Sequence, residues 1–443
     1  MRFSAGLVVL WLIALSLICA SATAQIDLPL ALRYFGQLKQ TSDADGGKLW
    51  GVSLYGPLFF VDPVSREVVA NQAGAQGVLK MQDGVWTGTL PNNLTPANTA
   101  WDWLGVRWTM VMWPLNDFRE PRERLLLHEC FHRIQEGIGL PAHDAVNNHL
   151  DTADGRIWTQ LEWRALERAL RQPGEARNLA IADALLFRAY RRSLFPEASA
   201  NEDRLELNEG LAEYTGMKLS SESLEELVFR ADRALRDGAS NTSLARSFAY
   251  TSGPAYGALL DLSGKPWRKQ VASAGGLGPL LARGYAVPET KVDREAAMAA
   301  SARYQGEEVM AQETRRAEER QKKIAAARHK LVESPVLIFS LSKDVQYFFD
   351  PNDLMGIDSL NTVYPTLRLV DAWGILEVSD GAWLTRDAAG PLIRAQVQAP
   401  SSTALSSAPI KGEGWSLTLN EGWKIVAGDR PGDFKVAKSE AQR

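Results

Sequence analysis

The hydrophobic pattern of the chain changes twice and divides it into three parts. Residues 25–115 carry short apolar runs broken by Gly and Pro, and Asp83-Gly84 joins two of these runs in the manner of a β-hairpin. A further run, from Gly105 to Trp113, is rich in Trp, Val and Met and is ended by Pro114, which indicates another strand. We therefore predict that the first part is β-rich.

The second part, residues 116–290, has apolar side chains three and four positions apart, which predicts a succession of helices. Pro121 suits the first turn of the first helix, and Gly137 suits its end. Residues 291–334 are rich in charge and alanine, as in ETRRAEERQKK, and predict a solvated helix that Pro335 ends.

Strand signals return in the third part, residues 335–443, for example in VLIFSL and WSLTLNEGWKIV. The stretch from Ala399 to Pro409 is predicted to be a flexible loop within it. The whole pattern predicts an α+β fold, with a β-rich N-terminal part, a helical middle part and a C-terminal β-domain.

The N-terminus has the pattern of a signal peptide. Arg2 precedes an apolar run from Ala5 to Ala20, and Ala22-Thr23-Ala24 fits a cleavage site after Ala24. A membrane anchor is the weaker interpretation, because the run is shorter than the ~20 residues that span a bilayer. We predict that residues 1–24 are removed, that the protein is secreted or periplasmic, and that no transmembrane segment remains.

The net charge and the cysteine count limit the possible partners and crosslinks of the protein. Removing residues 1–24 takes away Arg2, which leaves 48 of the 49 Lys and Arg residues against 53 Asp and Glu residues and a net charge near −5. This mildly acidic balance predicts no nucleic-acid partner. Cys130 becomes the only cysteine, so no internal disulfide can form, and we expect it to be a small buried core residue.

The segment LLLHECFHRIQEGIG carries the candidate chemistry. His128 and His132 lie four positions apart, so on a helix both imidazoles can point at one ion. Zinc in hydrolases takes three protein ligands and keeps one position for water. Glu129, next to the first histidine, could take a proton from that water and pass it to the leaving amine.

A third ligand must come from farther along the chain. A third close histidine would stand at position 138, which is Ile138. The helical segment ELNEGLAEYTG places Glu209 and Glu213 four positions apart on one face. Glu209 could complete the metal site, and Glu213 could hold the far nitrogen of a histidine ligand. The alternative interpretation is an ordinary amphipathic helix with exposed acids.

The pair HECFH and LNEGLAEY resembles the gluzincin metallopeptidases, the group that contains thermolysin and the aminopeptidase-N-like enzymes. The resemblance implies a zincin-like catalytic domain with one zinc ion on His128, His132 and Glu209. It places Glu213 as the acid that orients a zinc histidine. It also implies that Glu129 is the general base in hydrolysis of a peptide bond by zinc-activated water.

A third feature agrees with this resemblance. Aminopeptidase-N-like enzymes carry a downstream Tyr-x-x-Gly, whose hydroxyl stabilises the tetrahedral intermediate, and Tyr250 and Gly253 match it. A core tyrosine is the alternative for Tyr250, and Tyr256 is the fallback for the catalytic role. The strand from Gly105 to Trp113 lies where gluzincins place the edge strand that pairs with an extended peptide substrate.

The resemblance covers about residues 100–265 and has departures. Glu209 follows His132 by 77 positions, a much longer gap than in aminopeptidase-N-like enzymes, so Asp151, His149 and Glu162 are rival ligands. The G-x-M-E-N substrate motif of aminopeptidase N is absent, which gives little support to an exopeptidase. His143 and His149 lie in a polar segment, where surface or capping roles are expected.

Two functions follow from these observations, and a third interpretation is that the site is empty and the two histidines are merely packed. The first is a secreted or periplasmic zinc-dependent peptidase that acts on a peptide or protein substrate. The second is a zincin-fold protein without peptidase activity that has a binding or assembly role in the cell envelope. Activity on a broad peptide library with zinc fully occupied would separate them.

Overall fold

The computed structural model of the protein describes residues 26–439, except for residues 75–76, 141, 143–144, 146, 289–291, 351–352 and 402–407. The predicted signal peptide, His143 and residues 402–407 of the predicted loop lie outside the described residues. Within them the fold is α+β, as predicted, with a helical middle region and C-terminal strands. No helix in the described ranges combines the length and apolar character that a bilayer crossing requires.

The first helix, α1 (Leu28–Asp45), is an element that the β-rich prediction for residues 25–115 missed. Asp27 caps it by accepting a hydrogen bond from the Leu30 backbone N–H at 2.8 Å. Its buried residues recur at helical spacing, and Phe35 stacks on Phe60 of the first sheet with ring centroids 4.6 Å apart. The helix is therefore part of the core of the protein.

Six strands form the N-terminal sheet: β1 (Leu58–Val61), β2 (Glu67–Ala70), β3 (Lys80–Gln82), β4 (Val85–Thr89), β5 (Thr99–Trp103) and β6 (Val106–Met112). Their order is β3-β4-β2-β1-β6-β5, with β1 parallel to β6 and β5 at one edge. The hairpin predicted at Asp83-Gly84 joins β3 to β4, and the strand predicted from Gly105 to Trp113 is β6. The prediction that this strand is an edge strand is wrong, because β1 and β5 pair with β6 on its two sides, and the edge position belongs to β5.

The middle of the chain is helical, as its spacing predicts. The helices are α2 (Arg119–Gln135), α3 (Ala153–Arg171), α4 (Gly174–Leu194), α5 (Ala198–Leu205), α6 (Leu211–Leu219), α7 (Leu224–Gly238), α8 (Ser247–Leu262) and α9 (Leu277–Tyr285). Shorter 3₁₀ segments are Glu136–Ile138, Asn148–Asp151 and Arg268–Ser273, and one π-helical turn, Glu206–Gly210, links α5 to α6.

The charged segment predicted as one helix over residues 291–334 contains two helices. They are α10 (Arg294–Ser301) and α11 (Gly306–Arg328), separated by a 3₁₀ turn at Ala302–Tyr304 and by Gln305 in the left-handed conformation at φ 57°. A π-helical turn, His329–Glu333, ends the segment before Pro335. The break is where Tyr304 turns into the core and donates a hydrogen bond to the Asp183 carboxylate at 2.7 Å.

Two antiparallel-rich sheets enclose the C-terminal core. Their strands are β7 (Val336–Ser340), β8 (Gln346–Phe349), β9 (Met355–Gly356), β10 (Asn361–Tyr364), β11 (Leu367–Asp371), β12 (Gly374–Val378), β13 (Ala382–Arg386), β14 (Leu392–Gln398), β15 (Ile410–Gly412), β16 (Trp415–Leu419), β17 (Trp423–Ala427) and β18 (Phe434–Lys438). One sheet has the order β17-β18-β7-β14-β13-β10-β9 and the other β15-β16-β12-β11-β8, which leaves β8 at an edge.

A polar anchor joins the C-terminal strands to the helical part. Asn148 contacts the Asp358 carbonyl, the Thr362 hydroxyl and the Asn361 carbonyl through Nδ2 at 2.7, 2.8 and 3.1 Å. Arg320 of α11 also donates to the backbone carbonyl of Gly356. These contacts fix the C-terminal β-domain beside the helices that carry the candidate site.

Candidate metal centre

The two motif histidines lie on one face of α2, as their spacing predicts. Their Nε2 atoms are 3.1 Å apart, while Cys130 and Phe131, between them in sequence, are buried in the hydrophobic core. The predicted role of Cys130 as a core residue is therefore confirmed. The helix turns the two imidazoles toward a cleft, because positions four apart share a face.

Glu209 meets the histidines from the π-helical turn between α5 and α6. Its Oε2 lies 3.4 Å from Nε2 of both His128 and His132. The turn can approach α8 closely because Gly210 and Gly253 have no side chains: a Cβ on Gly210 would lie 3.2 Å from the Cα of Gly253. The glycines of N-E-G and Tyr-x-x-Gly thus form one backbone contact beneath the site.

The hydrogen-bond partners of the two Nδ1 atoms determine whether the two Nε2 atoms can act as metal ligands. Nδ1 of His128 lies 2.9 Å from Oε2 of Glu213, and Nδ1 of His132 lies 3.0 Å from Oε1 of Gln135. Both partners are acceptors, so each Nδ1 carries a proton, and in the neutral form of each ring Nε2 presents a lone pair. Three electron-pair donors, two Nε2 atoms and Oε2 of Glu209, converge within 3.1–3.4 Å.

This donor set fits a divalent metal ion. Two imidazole nitrogens and one carboxylate oxygen are the ligands of hydrolytic zinc sites, which keep one coordination position open. The three atoms lie within 4.8 Å of one another, and acceptors fix the far side of both imidazoles. The identity of the ion stays a prediction.

Glu129 adds the second chemical feature of the site. Its side chain is buried beside the histidines and lines the cleft, and its Oε2 has no hydrogen-bond partner among the described residues. Burial raises the pKa of this carboxyl above its usual value. An unpartnered acceptor at this place can receive a proton from a water molecule or a substrate.

Tyr250 and Arg246, from α8 and the residue just before it, hold the carboxylate of Glu209. The Tyr250 hydroxyl donates to Oε2 of Glu209 at 2.6 Å, and its ring stacks on His128 with centroids 5.5 Å apart. Arg246 donates from Nη2 to Oε1 of Glu209 at 3.1 Å, and Asn208 reaches the same oxygen at 3.3 Å. Both oxygens of Glu209 therefore have donors.

Electrostatics favours a positive species between these groups. Burial would lower the pKa of His128, but hydrogen bonds with Glu209 and Glu213 outweigh burial and raise it to about 10. Burial likewise opposes the charged form of Glu209, but the two histidines lower its pKa well below the usual range. Either a proton or a metal ion supplies positive charge between these groups, so the two compete for the site.

The rival ligands lie in other networks. Asp151 accepts from the Ser243 hydroxyl and the Leu244 backbone N–H, both at 2.7 Å. His149 pairs with Glu202 at 2.8 Å and is largely buried, so the expected surface role is wrong. Glu162 accepts hydrogen bonds from arginines and from the Tyr256 hydroxyl, the latter at 2.8 Å. Tyr256, the fallback for the catalytic role, therefore points to Glu162 and not to the histidines.

Several residues of the site were missed in the sequence analysis. They are Gln135 behind His132, Arg124, which pairs with Glu213, and Asn208 and Arg246 around Glu209. Gln135 and Asn208 could have been found from the sequence, because each is within a helical turn of a predicted ligand. For Arg124 and Arg246 the sequence offers no indication beyond their charge.

The centre opens into a cleft of about 1190 Å³. Its walls come from β5 and the segment before it, from α2 and Glu209, and from the C-terminal strand β8. A scan against protein-family models, a search of curated proteins and a search of solved structures each found no match.

Proposed function

We propose that this chain is a zinc-dependent peptidase of the gluzincin type. The observation that carries the proposal is the convergence of three electron-pair donors from His128, His132 and Glu209, beside the unpartnered Oε2 of Glu129. The open cleft, with an edge strand beside the centre, supports an extended peptide or protein as substrate.

The residues would divide the reaction between them. His128, His132 and Glu209 would hold one zinc ion, which when bound lowers the pKa of water and polarises a carbonyl. Glu129 would take the proton of the attacking water on Oε2 and deliver it to the leaving amine. Glu213 would keep the His128 ring in place, since it accepts the hydrogen bond from Nδ1.

Tyr250 would supply the hydrogen bond to the oxygen that becomes negative during attack. Burial and the neighbouring Glu209 raise the pKa of its phenol well above the ordinary value, so the hydroxyl keeps its proton. A protonated phenol beside the ligand carboxylate can turn from Glu209 to a substrate oxyanion.

We propose an exported location for this activity. The apolar run before Ala22-Thr23-Ala24 supports a signal peptide, and a chain left with one buried cysteine has no thiol pair to oxidise. The acidic net charge gives no support to a nucleic-acid partner.

Hydrolysis by a Glu129→Gln variant tests the proposal. Zinc-loaded wild type should cleave oxidised insulin B chain, an unfolded peptide, as followed by mass spectrometry. Glu129→Gln should keep zinc but lose activity by about 10²-fold or more, because the proton acceptor is gone. Glu136→Gln, an exposed glutamate just after α2, is the matched control and should stay active.

Two results would end the proposed function. One is the absence of any cleavage by zinc-loaded wild type across a broad peptide library. The other is a turnover of Glu129→Gln equal to that of the wild type and of the Glu136→Gln control.

A further inference from the structure

The C-terminal β-domain supplies one wall of the catalytic cleft. Residues 345–350 and Arg368 line it from the C-terminal side, and residues 95–101 line it from the N-terminal sheet. The volume of about 1190 Å³ exceeds the roughly 300–1,000 Å³ that is usual for small-molecule sites. The dimensions therefore suit a segment of a polymer.

Both walls contain an edge strand. β5 is the last strand of the six-stranded sheet, and β8 is the last strand of the five-stranded sheet. Among the described strands, β6 alone pairs with β5. Its outer N–H and C=O groups can therefore pair with an added strand.

The side chains of β8 divide between the C-terminal core and its other face. Tyr347 and Phe349 pack against the C-terminal hydrophobic core, so the alternation of a strand places Gln346 and Phe348 on the opposite face. Phe348 is directly opposite Arg368 of β11 in the ladder, and both line the cleft. These three residues, Gln346, Phe348 and Arg368, are called the distal wall below.

The metal centre and the C-terminal domain are also in contact. The Arg246 guanidinium, which binds Glu209, lies 5.4 Å from the centroid of the Phe349 ring. A substrate at the metal centre is therefore within reach of β8.

Unsatisfied polar atoms mark the cleft walls. Buried side-chain atoms without a hydrogen-bond partner in the described ranges include Thr95 Oγ1, Asn208 Oδ1, Gln346 Oε1 and Arg368 Nε, all from cleft-lining residues. Buried polar atoms in native proteins nearly always have a partner. Donors and acceptors on both sides of the cleft fit a ligand that is polar along its length, as a peptide backbone is.

We infer that the cleft binds an extended peptide segment between β5 and the distal wall, and that the distal wall selects its side chains. The inference rests on the proposed function for the reaction. The five residues of β5 and the four of β8 match a segment of about four or five residues. Phe348 favours an apolar or aromatic side chain opposite it.

Peptide binding to the zinc-loaded Glu129→Gln protein tests the inference without turnover. The probe is fluorescein-labelled oxidised insulin B chain, followed by fluorescence anisotropy. Phe348→Ala and Arg368→Ala should each raise Kd about tenfold, since each removes a contact of the distal wall. Ile393→Ala, an exposed residue of β14 away from the cleft, is the control and should leave Kd unchanged.

The outcomes separate the inference from the proposed function. Unchanged Kd in both distal-wall variants, with zinc content and circular dichroism intact, or no binding of the probe at all, overturns the inference. Binding that depends on the distal wall supports it even if the wild type cleaves nothing, a result that overturns the proposed function alone. Cleavage that both distal-wall variants retain at the wild-type kcat/KM overturns the inference and leaves the proposed function standing.

Discussion

At the scale of single residues, the Tyr250 hydroxyl is the group closest to the predicted ligand carboxylate. It donates to Oε2 of Glu209 at 2.6 Å. If it transfers this hydrogen bond to the reacting oxygen, Tyr250→Phe should lower kcat by about 10²-fold while KM and zinc content change little. Steady-state kinetics with a peptide substrate checks this.

Tyr256→Phe is the matched control for that substitution. The Tyr256 hydroxyl donates to Glu162 at 2.8 Å, away from the histidines. Its removal should lower the unfolding free energy by about 1 kcal/mol and leave kcat unchanged. Equal kcat in Tyr250→Phe and wild type would contradict the assigned role of Tyr250.

The protonation of His128 makes zinc binding depend on pH. Its pKa is raised to about 10, so the metal-free site carries a proton at neutral pH that zinc must displace. Zinc affinity should therefore fall about tenfold for each pH unit between pH 9 and pH 7. Calorimetric titration in two buffers of different ionisation enthalpy should show release of about one proton per zinc; none released would be the opposite result.

The raised pKa of His128 also makes the unfolding free energy of the metal-free protein depend on pH. The folded-state pKa of His128 is above the ordinary value of 6.5, so the stabilisation is complete below pH 6.5 and is lost as pH rises toward 10. Urea unfolding of the metal-free wild type should show this loss between pH 7 and pH 9. His128→Asn, without an imidazole at this position, should show less of it.

Local chemistry explains how much of the centre could be predicted. Helical spacing alone places His128 and His132 on one face, and likewise Glu209 and Glu213 in the segment LNEGLAEY. The structure brings these two glutamates to the histidines. The contact of Arg246 with Glu209 depends on how α8 packs, which no local pattern contains.

At the scale of elements, a buried ion-pair network fixes α3, α4 and α5 to one another. Glu162 of α3 accepts from Arg188 at 3.0 Å and from Arg191 at 2.5 Å, both on α4. Arg188 also binds Glu206, the first residue of the π-helical turn that carries Glu209. The network thus holds the turn that presents the third predicted ligand.

Breaking this network should cost far more than breaking a surface pair. Glu162→Gln leaves two buried arginines without their full counter-charge and should lower the unfolding free energy by roughly 3–5 kcal/mol in urea titrations. Glu319→Gln, whose pair with Lys322 is exposed, should lower it by less than about 1 kcal/mol. Equal losses in the two variants would show that the network does not stabilise the fold.

The element predictions succeeded where one pattern decided the structure. Short apolar runs on either side of Asp83-Gly84 predicted the N-terminal hairpin, and helical spacing of apolar residues predicted the helix that carries the two histidines. Helix α1 was missed because its apolar spacing was not separated from the strand-like runs that follow it. The π-helical turn at Glu206–Gly210 could not be predicted, since it depends on the close approach of Gly210 and Gly253.

At the scale of the whole molecule, two β-rich parts supply walls of the cleft beside the helices that carry the candidate centre. Strand β5 comes from one and β8 from the other, more than two hundred residues apart in sequence. The sequence pattern predicted both β-rich parts, but not that their edges face one cleft. That arrangement depends on long-range contacts such as the anchor at Asn148.

Zinc content, measured by elemental analysis on the protein without residues 1–24, tests the central claim most directly. The wild type should carry about one zinc per chain, Glu209→Ala far less, and Glu319→Gln as much as the wild type. Equal zinc in the wild type and Glu209→Ala would contradict the ligand assignment. No zinc in the wild type after zinc is added would contradict the metal centre itself.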